Sequence, residues 1–380
     1  MTKTHILLIG GGTGGHIFPL ISVAQKLKEL GSEKQFELDI RYFGDPGSYD
    51  SILAENSIRV SRVVSSKLRR YVSALNILDF FKFFWGFIQA LFKLYFFMPE
   101  VVFSKSGPGV LPIIYAARWY RIPLVIHESD AIPGLTNKIS AKHAAIVELA
   151  FQHAKQYFPK NEQVNVVGLP VRPQVINQQS AAECRRILGL ADDRPVLFIV
   201  GGSQGAQILN DFVLANTETL LTQFEVVHQI GRENFDQHVK EFAFVTKFIK
   251  PELIARYRPF AFLSDEQMAA AFGAADIVIS RAGSSIFEIA ANGKPALLVP
   301  IASSANNHQF ENAYAYALCG AGIIIEEPNL LPGLVFNQLQ KIIDNDDLRS
   351  SMVQQAKQFY KPEASDQIAK DILTVAGAMT

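Results

Sequence analysis

Two doubly wound α/β domains are the fold this chain predicts, on three observations. Short apolar runs alternate with longer segments of helical period, the pattern of parallel strands joined by crossover helices. The block strand, paired glycines, polar residues, helix occurs twice, at Gly11 and again at Gly201. The length, 380 residues, exceeds one ordinary core and suits two domains of roughly 150–200 residues.

The elements follow in order. "HILLIG" has the continuous apolar character of a buried strand, and "PLISVAQKLKELG" the period of the helix after it, with Gly31 as its stop. "ELDIRYFG", "EVVFS", "IPLVIHES" and "NVVGLP" are further strands of the first domain. The scheme then restarts with "RPVLFIVGG" as strand and "SQGAQILNDFVLANTETLL" as helix. The strands "FEVVHQIG", "ADIVIS", "PALLVPI" and "GIIIEE" complete it. The stretch "LPVRPQVINQQS", rich in Pro, Gln and Ser, reads as the joint. The expected division is 1–170, then 171–350, with "DLRSSMVQQAKQFY" and "SDQIAKDILTVAGAM" as closing C-terminal helices over 351–380.

Composition narrows the function. Lys+Arg and Asp+Glu are both 36, so the chain lacks the basic excess of a general nucleic-acid binder. Its two cysteines, Cys184 and Cys319, form no CxxC and cluster with no histidines, which argues against a disulfide scaffold or structural zinc. A reducing cytoplasm is the expected compartment. The opening "MTKTHILLIGGG" does not read as a signal peptide, because its apolar run is short and leads straight into glycines.

Ligands of such sheets gather at the carboxyl ends of strands. The polar residues there are His16, His127, Glu128, Ser203, Gln204 and Arg281. "GGGTGGH" fits the dinucleotide pattern G-x-G-x-x-G loosely through Gly10, Gly12 and Gly15, with Asp45 available as the acid after the second strand. A tight βα turn without ligand is the plain alternative. Two features favour a phosphate-binding role of another kind. His16 opens the helix, where a nicotinamide fold has no use for an imidazole, and "GGSQGA" provides a second loop. Gly201, Gly202 and Gly205 free the backbone N–H groups of the next helix for an anion, and Ser203 and Gln204 add donors.

Taken in order, "GGTGGHIFP", "HESDAIPGLTNK", "GLPVR", "GGSQGA", "SRAGSSIFEIAANGKPALLVP" and "NNHQFENA" closely resemble the MurG family over nearly the whole chain. These are UDP-N-acetylglucosamine: lipid I N-acetylglucosaminyltransferases of peptidoglycan synthesis. The resemblance implies the GT-B fold, two Rossmann-like domains facing across a cleft, and an inverting transfer. The 4-hydroxyl of N-acetylmuramic acid on undecaprenyl pyrophosphate attacks the anomeric carbon of UDP-N-acetylglucosamine, giving a β-1,4 linkage and UDP. Such chemistry needs a base near neutrality, preorganised donors for the leaving diphosphate, and an aligned donor sugar.

His16 is the candidate base; a histidine donating to backbone near a helix start is the bland alternative. The resemblance assigns Thr13, Gly14, Gly15, Asp130, Arg172, Ser203, Leu263, Glu288 and Gln309 to UDP-N-acetylglucosamine. Glu288 would accept from the ribose hydroxyls and Leu263 would meet the uracil through its backbone. Gly11, Gly12, Lys105 and His127 fall to the acceptor and its pyrophosphate, although a satisfied core histidine competes at His127. Arg281 is either a further cation for the donor or half of a salt bridge. No D-x-D metal motif stands where a sugar-nucleotide enzyme of the other common fold would need one, so a metal-independent step without cofactor is expected.

The chain departs from the family at three places. The third glycine loop, G-x-G-G-Y-x-S-G-P in the family, reads "FSKSGPGVLPII", with Lys105 available as a point charge (positions 104–110). "HEQN" reads "HESD", so Asp130 replaces an asparagine, and "NPVR" reads "LPVR".

Of 28 phenylalanines, many lie in "LDFFKFFWGFIQALFKLYFFMPE", residues 78–100. Asp79, Lys82, Gln89 and Lys93 make it too polar to span a bilayer, yet Phe80, Phe81, Phe84, Phe87, Ile88, Leu91 and Phe92 form one broad face. With "KLRR" upstream this is the composition of an in-plane helix on the cytoplasmic face of a membrane; a helix buried on the sheet is the alternative. Peripheral membrane contact and cell-wall or division proteins are the partners to expect. Two other functions remain open: another GT-B transferase acting on a glycolipid, and a non-catalytic cell-wall scaffold.

Overall fold

The computed structural model describes residues 3–65, 75–107, 109–158, 163–191, 194–302 and 307–379. The basic run at 67–70, position 108 of the altered loop, and the first asparagine of "NNHQFENA" lie outside the described residues. The chain divides into two compact units, one running to Arg172 and resuming at Pro362, the other Pro173–Lys361. Of the two closing helices, Asp346–Phe359 therefore falls in the second unit and Ala364–Val375 in the first.

In the first unit seven strands make one sheet: β1 (Thr4–Ile9), β2 (Leu38–Phe43), β3 (Arg59–Ser61), β4 (Val101–Ser104), β5 (Leu124–Glu128), β6 (Ile146–Leu149) and β7 (Val164–Val166). Their order is β3-β2-β1-β4-β5-β6-β7, with every pairing parallel. Parallel strands are covered on both faces, and β1 shows how the sequence meets that demand. Ile6 and Leu8 face one core with the helix Gly14–Glu33, whereas Leu7 and Ile9 face the other with Ala90, Leu94 and Ile113. That first helix begins at Gly14, earlier than the apolar period suggests. It also passes Gly31 and ends at Glu33, where Gln35 takes the left-handed turn and the Phe36 amide bonds Gly31 O.

The second unit repeats the plan with β8 (Val196–Val200), β9 (Glu225–Gln229), β10 (Tyr257–Phe260), β11 (Ile277–Ser280), β12 (Ala296–Leu298) and β13 (Gly322–Ile324). Their order is β10-β9-β8-β11-β12-β13, again all parallel. The segment read as one helix after "GGSQGA" is two, Gln207–Ala215 and Thr217–Gln223, parted at Asn216. Each sheet reverses its winding once, between β1 and β4 and between β8 and β11. The loops leaving those strands flank the place where doubly wound sheets take ligands.

The aromatic segment is a helix, Leu75–Phe97. By length and composition Asp79–Phe97 does suffice to cross a membrane, against the expectation that its polar residues forbid it. Its packing is more informative. Ala90, Leu94 and Phe97 are buried in the unit's core, and Gln89 Oε1 accepts from the Val64 amide at 3.0 Å. One face is thus committed to the sheet. The other leaves Phe80, Phe81, Phe84, Trp85, Phe92, Tyr95 and Phe96 exposed, Phe96 by 82%.

The C-terminal helix Ala364–Val375 lays Ile368, Ile372 and Leu373 into the first unit's core. Beside them lies an acid pair. Glu148 on β6 is fully buried; its Oε1 accepts from Asn165 Nδ2 at 3.3 Å. When ionised, its Oε2 has no partner; when protonated, it donates to Asp371. Burial, and then Asp371, push Glu148 up to about 9. A carboxyl raised by folding contributes stability fully below its unfolded value of 4.5 and loses it as pH rises towards 9. The melting temperature is therefore expected to fall between pH 5 and pH 9, and Glu148→Gln, which keeps the donor, to flatten that fall. Parallel slopes in the two proteins, measured by calorimetry, would exclude the shared proton.

Candidate functional site

In the first unit, the residues that carry chemistry lie where β1, β4 and β5 end. Thr13 precedes the first helix in extended conformation, and its carbonyl accepts from the His16 and Ile17 amides at 3.0 Å each. Gly14 and Gly15 form the first helical turn, which brings His16 back over Thr13. Thr13 Oγ1 and His16 Nδ1 stand 2.8 Å apart. When Nδ1 carries the proton and donates to Thr13, Nε2 keeps a free lone pair, the arrangement a base requires. Gly107, at φ +110°, faces that nitrogen. A Cβ there would lie 3.3 Å from His16 Nε2 and 2.6 Å from the Gly11 nitrogen, so only glycine lets the two loops meet. The half-buried His16 is lowered to about 4, first by loss of solvent and then by Lys105, against an upward pull from Asp130.

Lys105 is 1% exposed. Its Nζ donates to His127 Nδ1 at 2.6 Å and to Ser129 Oγ. His127 Nε2 in turn donates to Gly168 O at 2.8 Å, so both ring nitrogens are occupied. Burial, then Lys105, hold His127 well below the ordinary histidine value, and it is neutral. Glu128 closes β5: Oε1 accepts from the Asp130 amide at 2.9 Å, and Oε2 from the Gly134 amide and Asn137 Nδ2, both at 3.0 Å. Burial and the Asp130 charge raise Glu128, while burial lowers Lys105 against the pull of Glu128 and Asp130. At the end of this unit Arg172 stacks its guanidinium 3.7 Å over the Phe18 ring.

In the second unit, "GGSQGA" leaves β8 and leads into the helix Gln207–Ala215. Gly205 adopts φ +79°, and a Cβ there would sit 1.9 Å from Ile230 O. Ser203 is half-buried on this loop and Gln204 is exposed. Gln229, at the end of β9, ties the loop to its neighbour: Nε2 donates to Gly202 O at 3.0 Å and Oε1 accepts from the Leu263 amide at 3.0 Å. The Leu263 N–H is thereby taken inside the protein. Arg281, after β11, donates to Val299 O at 2.9 Å and pairs with Glu327 at 2.6 Å, so the salt bridge is what forms. Burial favours the neutral acid at Glu327, but the Ala302 amide and Arg281 outweigh it and lower the group. Gln309 Oε1 accepts from the Ile301 amide at 3.1 Å, and Glu288 lies half-buried in the helix Ser285–Ala291.

The first unit gathers Gly11, Gly12, Thr13, Gly14, Gly15, His16, Lys105, His127 and Asp130 at adjoining strand ends, with Arg172 at its terminus. The second carries Ser203, Leu263, Glu288 and Gln309 on loops and helices after β8, β10, β11 and β12. Sequence reasoning missed Gln229, Ser129, Asn137 and Glu327. Gln229 was findable, because "FEVVHQIG" places it at a carboxyl strand end by the criterion that selected His127. Glu327 lies far along the chain from Arg281, and only the fold pairs them.

Family models match both units: the glycosyltransferase family 28 N-terminal domain over residues 6–148 and the C-terminal domain over 196–368. A Clostridium tetani protein is 34% identical over 348 residues, 90% of this chain and 91% of its own length. One from Treponema denticola is 35% identical over 350 residues, 89% and 88% of the two chains. Both carry the name UDP-N-acetylglucosamine–N-acetylmuramyl-(pentapeptide) pyrophosphoryl-undecaprenol N-acetylglucosamine transferase. The crystal structure of MurG from Acinetobacter baumannii superposes with TM-score 0.72 at 26% identity, covering 98% of this chain and 99% of that one. The fold is GT-B. A UDP co-structure of S. aureus MnaA, at TM-score 0.68 and 14% identity over 99% and 98% of the chains, shares the fold alone.

The glycine loop of the second unit yields a direct check. Gly202 and Gly205 both have positive φ, but a Cβ at Gly202 meets nothing within 4 Å. Gly202→Ala is expected to cost about 1 kcal/mol and Gly205→Ala at least about 3 kcal/mol, the excess coming from the Ile230 carbonyl. Urea unfolding measures both, and equal losses would contradict the loop geometry.

Proposed function

This chain belongs to the MurG family, and from that premise we propose that it transfers N-acetylglucosamine from UDP-N-acetylglucosamine to lipid I. The acceptor is the 4-hydroxyl of N-acetylmuramic acid on undecaprenyl pyrophosphate, and the products are lipid II and UDP. The hydroxyl oxygen forms a bond to the anomeric carbon while the bond from that carbon to the β-phosphate oxygen breaks, inverting the configuration. The hydroxyl proton passes to His16 Nε2. The observation that carries this reading is the Thr13–His16 pair, whose geometry directs Nε2 towards Gly107. A histidine held near 4 is unprotonated at neutral pH and available as acceptor.

Charge that develops on the leaving diphosphate needs fixed donors, a part the start of the helix after "GGSQGA" and the Ser203 hydroxyl would play, the Gly205 N–H being taken by Gly202 O. Arg172, Ser203, Leu263, Glu288 and Gln309 hold UDP-N-acetylglucosamine, with Glu288 on the ribose hydroxyls. The Leu263 amide being engaged by Gln229, its carbonyl is the group left for the base. Thr13, Gly14, Gly15 and Asp130 adjoin the donor sugar. Gly11, Gly12, Lys105 and His127 shape the acceptor side, and Lys105 acts there through His127 and Ser129.

The exposed aromatic face of Leu75–Phe97 is proposed to rest in plane on the cytoplasmic leaflet, where a polyprenyl substrate resides. The rings would enter the headgroup boundary while the opposite face stays packed on the sheet.

Two measurements test these assignments. His16→Ala is expected to lower acceptor-dependent UDP release by about 10²–10⁴-fold, with UDP-N-acetylglucosamine affinity little changed. An unchanged kcat would move the base elsewhere. Serine at Phe84, Trp85 and Phe92 together is expected to weaken co-sedimentation with phospholipid vesicles about tenfold or more. Undiminished binding would remove this helix from the membrane surface.

A further inference from the structure

In the second unit the helix Phe235–Val245 has two unlike faces. His238, Phe242 and Thr246 recur at helical spacing and turn inward, with His238 and Thr246 buried. Phe242 stacks on Tyr257 of β10 with ring centroids 4.4 Å apart. The Tyr257 hydroxyl lies 2.7 Å from His238 Nε2 and 2.7 Å from Nδ1 of His228 on β9. This face is therefore committed to the sheet. Thr246 Oγ1 donates to Phe242 O at 2.7 Å where the helix ends, and the Ile249 amide closes the following turn on Thr246 O at 2.9 Å.

The side chains left outside have a different chemistry. Phe244 and Phe248 are 80% and 92% exposed, with Val239 and Val245 exposed beside them. Lys240, Lys247 and Lys250 stand exposed among these groups, and Lys247 Nζ lies 5.7 Å from the Phe248 ring centroid. All of residues 239–250 are described, and none of the exposed ones is acidic. Glu241 is half-buried and accepts from Gln237 Nε2 at 2.6 Å; Asp236 and Glu252 lie beyond either end. Aromatic rings held out among lysines match an anionic lipid surface, where the rings enter the headgroup boundary and the ammonium groups meet phosphates. A protein partner fits less well. Covering two phenylalanine side chains hides roughly 300–500 Å², whereas a stable interface takes about 800 Å² from each partner. A bilayer needs no shaped complement.

We propose that the turn 239–250 is a second membrane contact, carried by the second unit and directed at anionic phospholipid. Phe244 and Phe248 are its anchors, and Lys240, Lys247 and Lys250 supply the attraction to the headgroups. It lies in the other unit from the aromatic helix Leu75–Phe97 and stands whether or not that helix touches lipid. Nor does it rest on the transferase reading.

The chain's two tryptophans, Trp85 and Trp119, are both exposed in the first unit, which allows a test local to the turn. Phe248→Trp is made in the full chain together with Trp85→Phe and Trp119→Phe, so that a single indole reports from position 248. The protein is added to phosphatidylglycerol or phosphatidylcholine vesicles with brominated acyl chains, and co-sedimentation is measured alongside. On phosphatidylglycerol the emission is expected to move to shorter wavelength and to be quenched. Lys240→Gln, Lys247→Gln and Lys250→Gln together are expected to raise the lipid needed for half-maximal quenching about tenfold or more. Protein that sediments with the vesicles while the indole stays unquenched is held by the first unit alone, and overturns the proposal without touching the aromatic helix. Equal quenching on phosphatidylcholine contradicts the anionic partner. A blue shift that grows with protein concentration in the absence of lipid, with doubled mass by light scattering, assigns the turn to a second copy of the chain and overturns the proposal. No sedimentation with either lipid overturns both membrane contacts.

Discussion

Backbone must pass against backbone at the carboxyl ends of the central strands, and the rest of the architecture depends on that closeness. Gly107 lies on Gly11, Gly12 on the chain at Asp45 and Gly47, and Gly205 on Ile230. Each contact leaves no room for a side-chain carbon. The consequence is chemical as well as steric. With the loops stripped of side chains, the first turn of a helix, an imidazole and an amine come within a few ångströms of one another in the first unit. In the second, the glycine loop at the end of β8 is drawn in against Ile230, where the helix Gln207–Ala215 begins.

Buried charge is then managed in different ways in the two units. In the second, Arg281 is neutralised outright by Glu327 and by a carbonyl, which fixes the loop after β11 as scaffold. In the first, the carboxylates of Glu128 and Asp130 act on Lys105 electrostatically. Its amine donates to a neutral histidine and a hydroxyl, and its charge is felt at His16. Glu148 shows a third solution, in which a proton shared with Asp371 lets an acid lie against the helix that returns the chain to its first unit.

Much of this was legible in the sequence. The alternation of apolar runs and the repeated glycine block specified two parallel sheets, because both features are local. So was the place of His16, in the first turn of the helix that follows the glycine loop. The short strands β3, β6 and β10 were not legible: each carries a charged residue, Arg59, Glu148 or Arg258, that breaks the apolar run by which equally short strands were read. Trp85, Tyr95 and Phe96 were left off the expected aromatic face because the helix could be phased only by its own pattern, whereas burial of Ala90, Leu94 and Phe97 sets its true orientation. The partners of Lys105 and Arg281 were out of reach for a different reason. A charged residue names no partner until the fold sets strands β4 and β5 side by side, or brings the loop after β13 past β12 to the loop after β11.

The central claim is that these strand-end residues assemble a glycosyl transfer to a lipid-linked sugar. Incubating the protein with UDP-[¹⁴C]N-acetylglucosamine and a short-chain lipid I analogue, then determining the linkage by NMR, tests it most directly. The account predicts one labelled sugar per acceptor, joined β-1,4, with equimolar UDP. Tight UDP binding with no label on the acceptor, or a product that retains the α configuration, would contradict it.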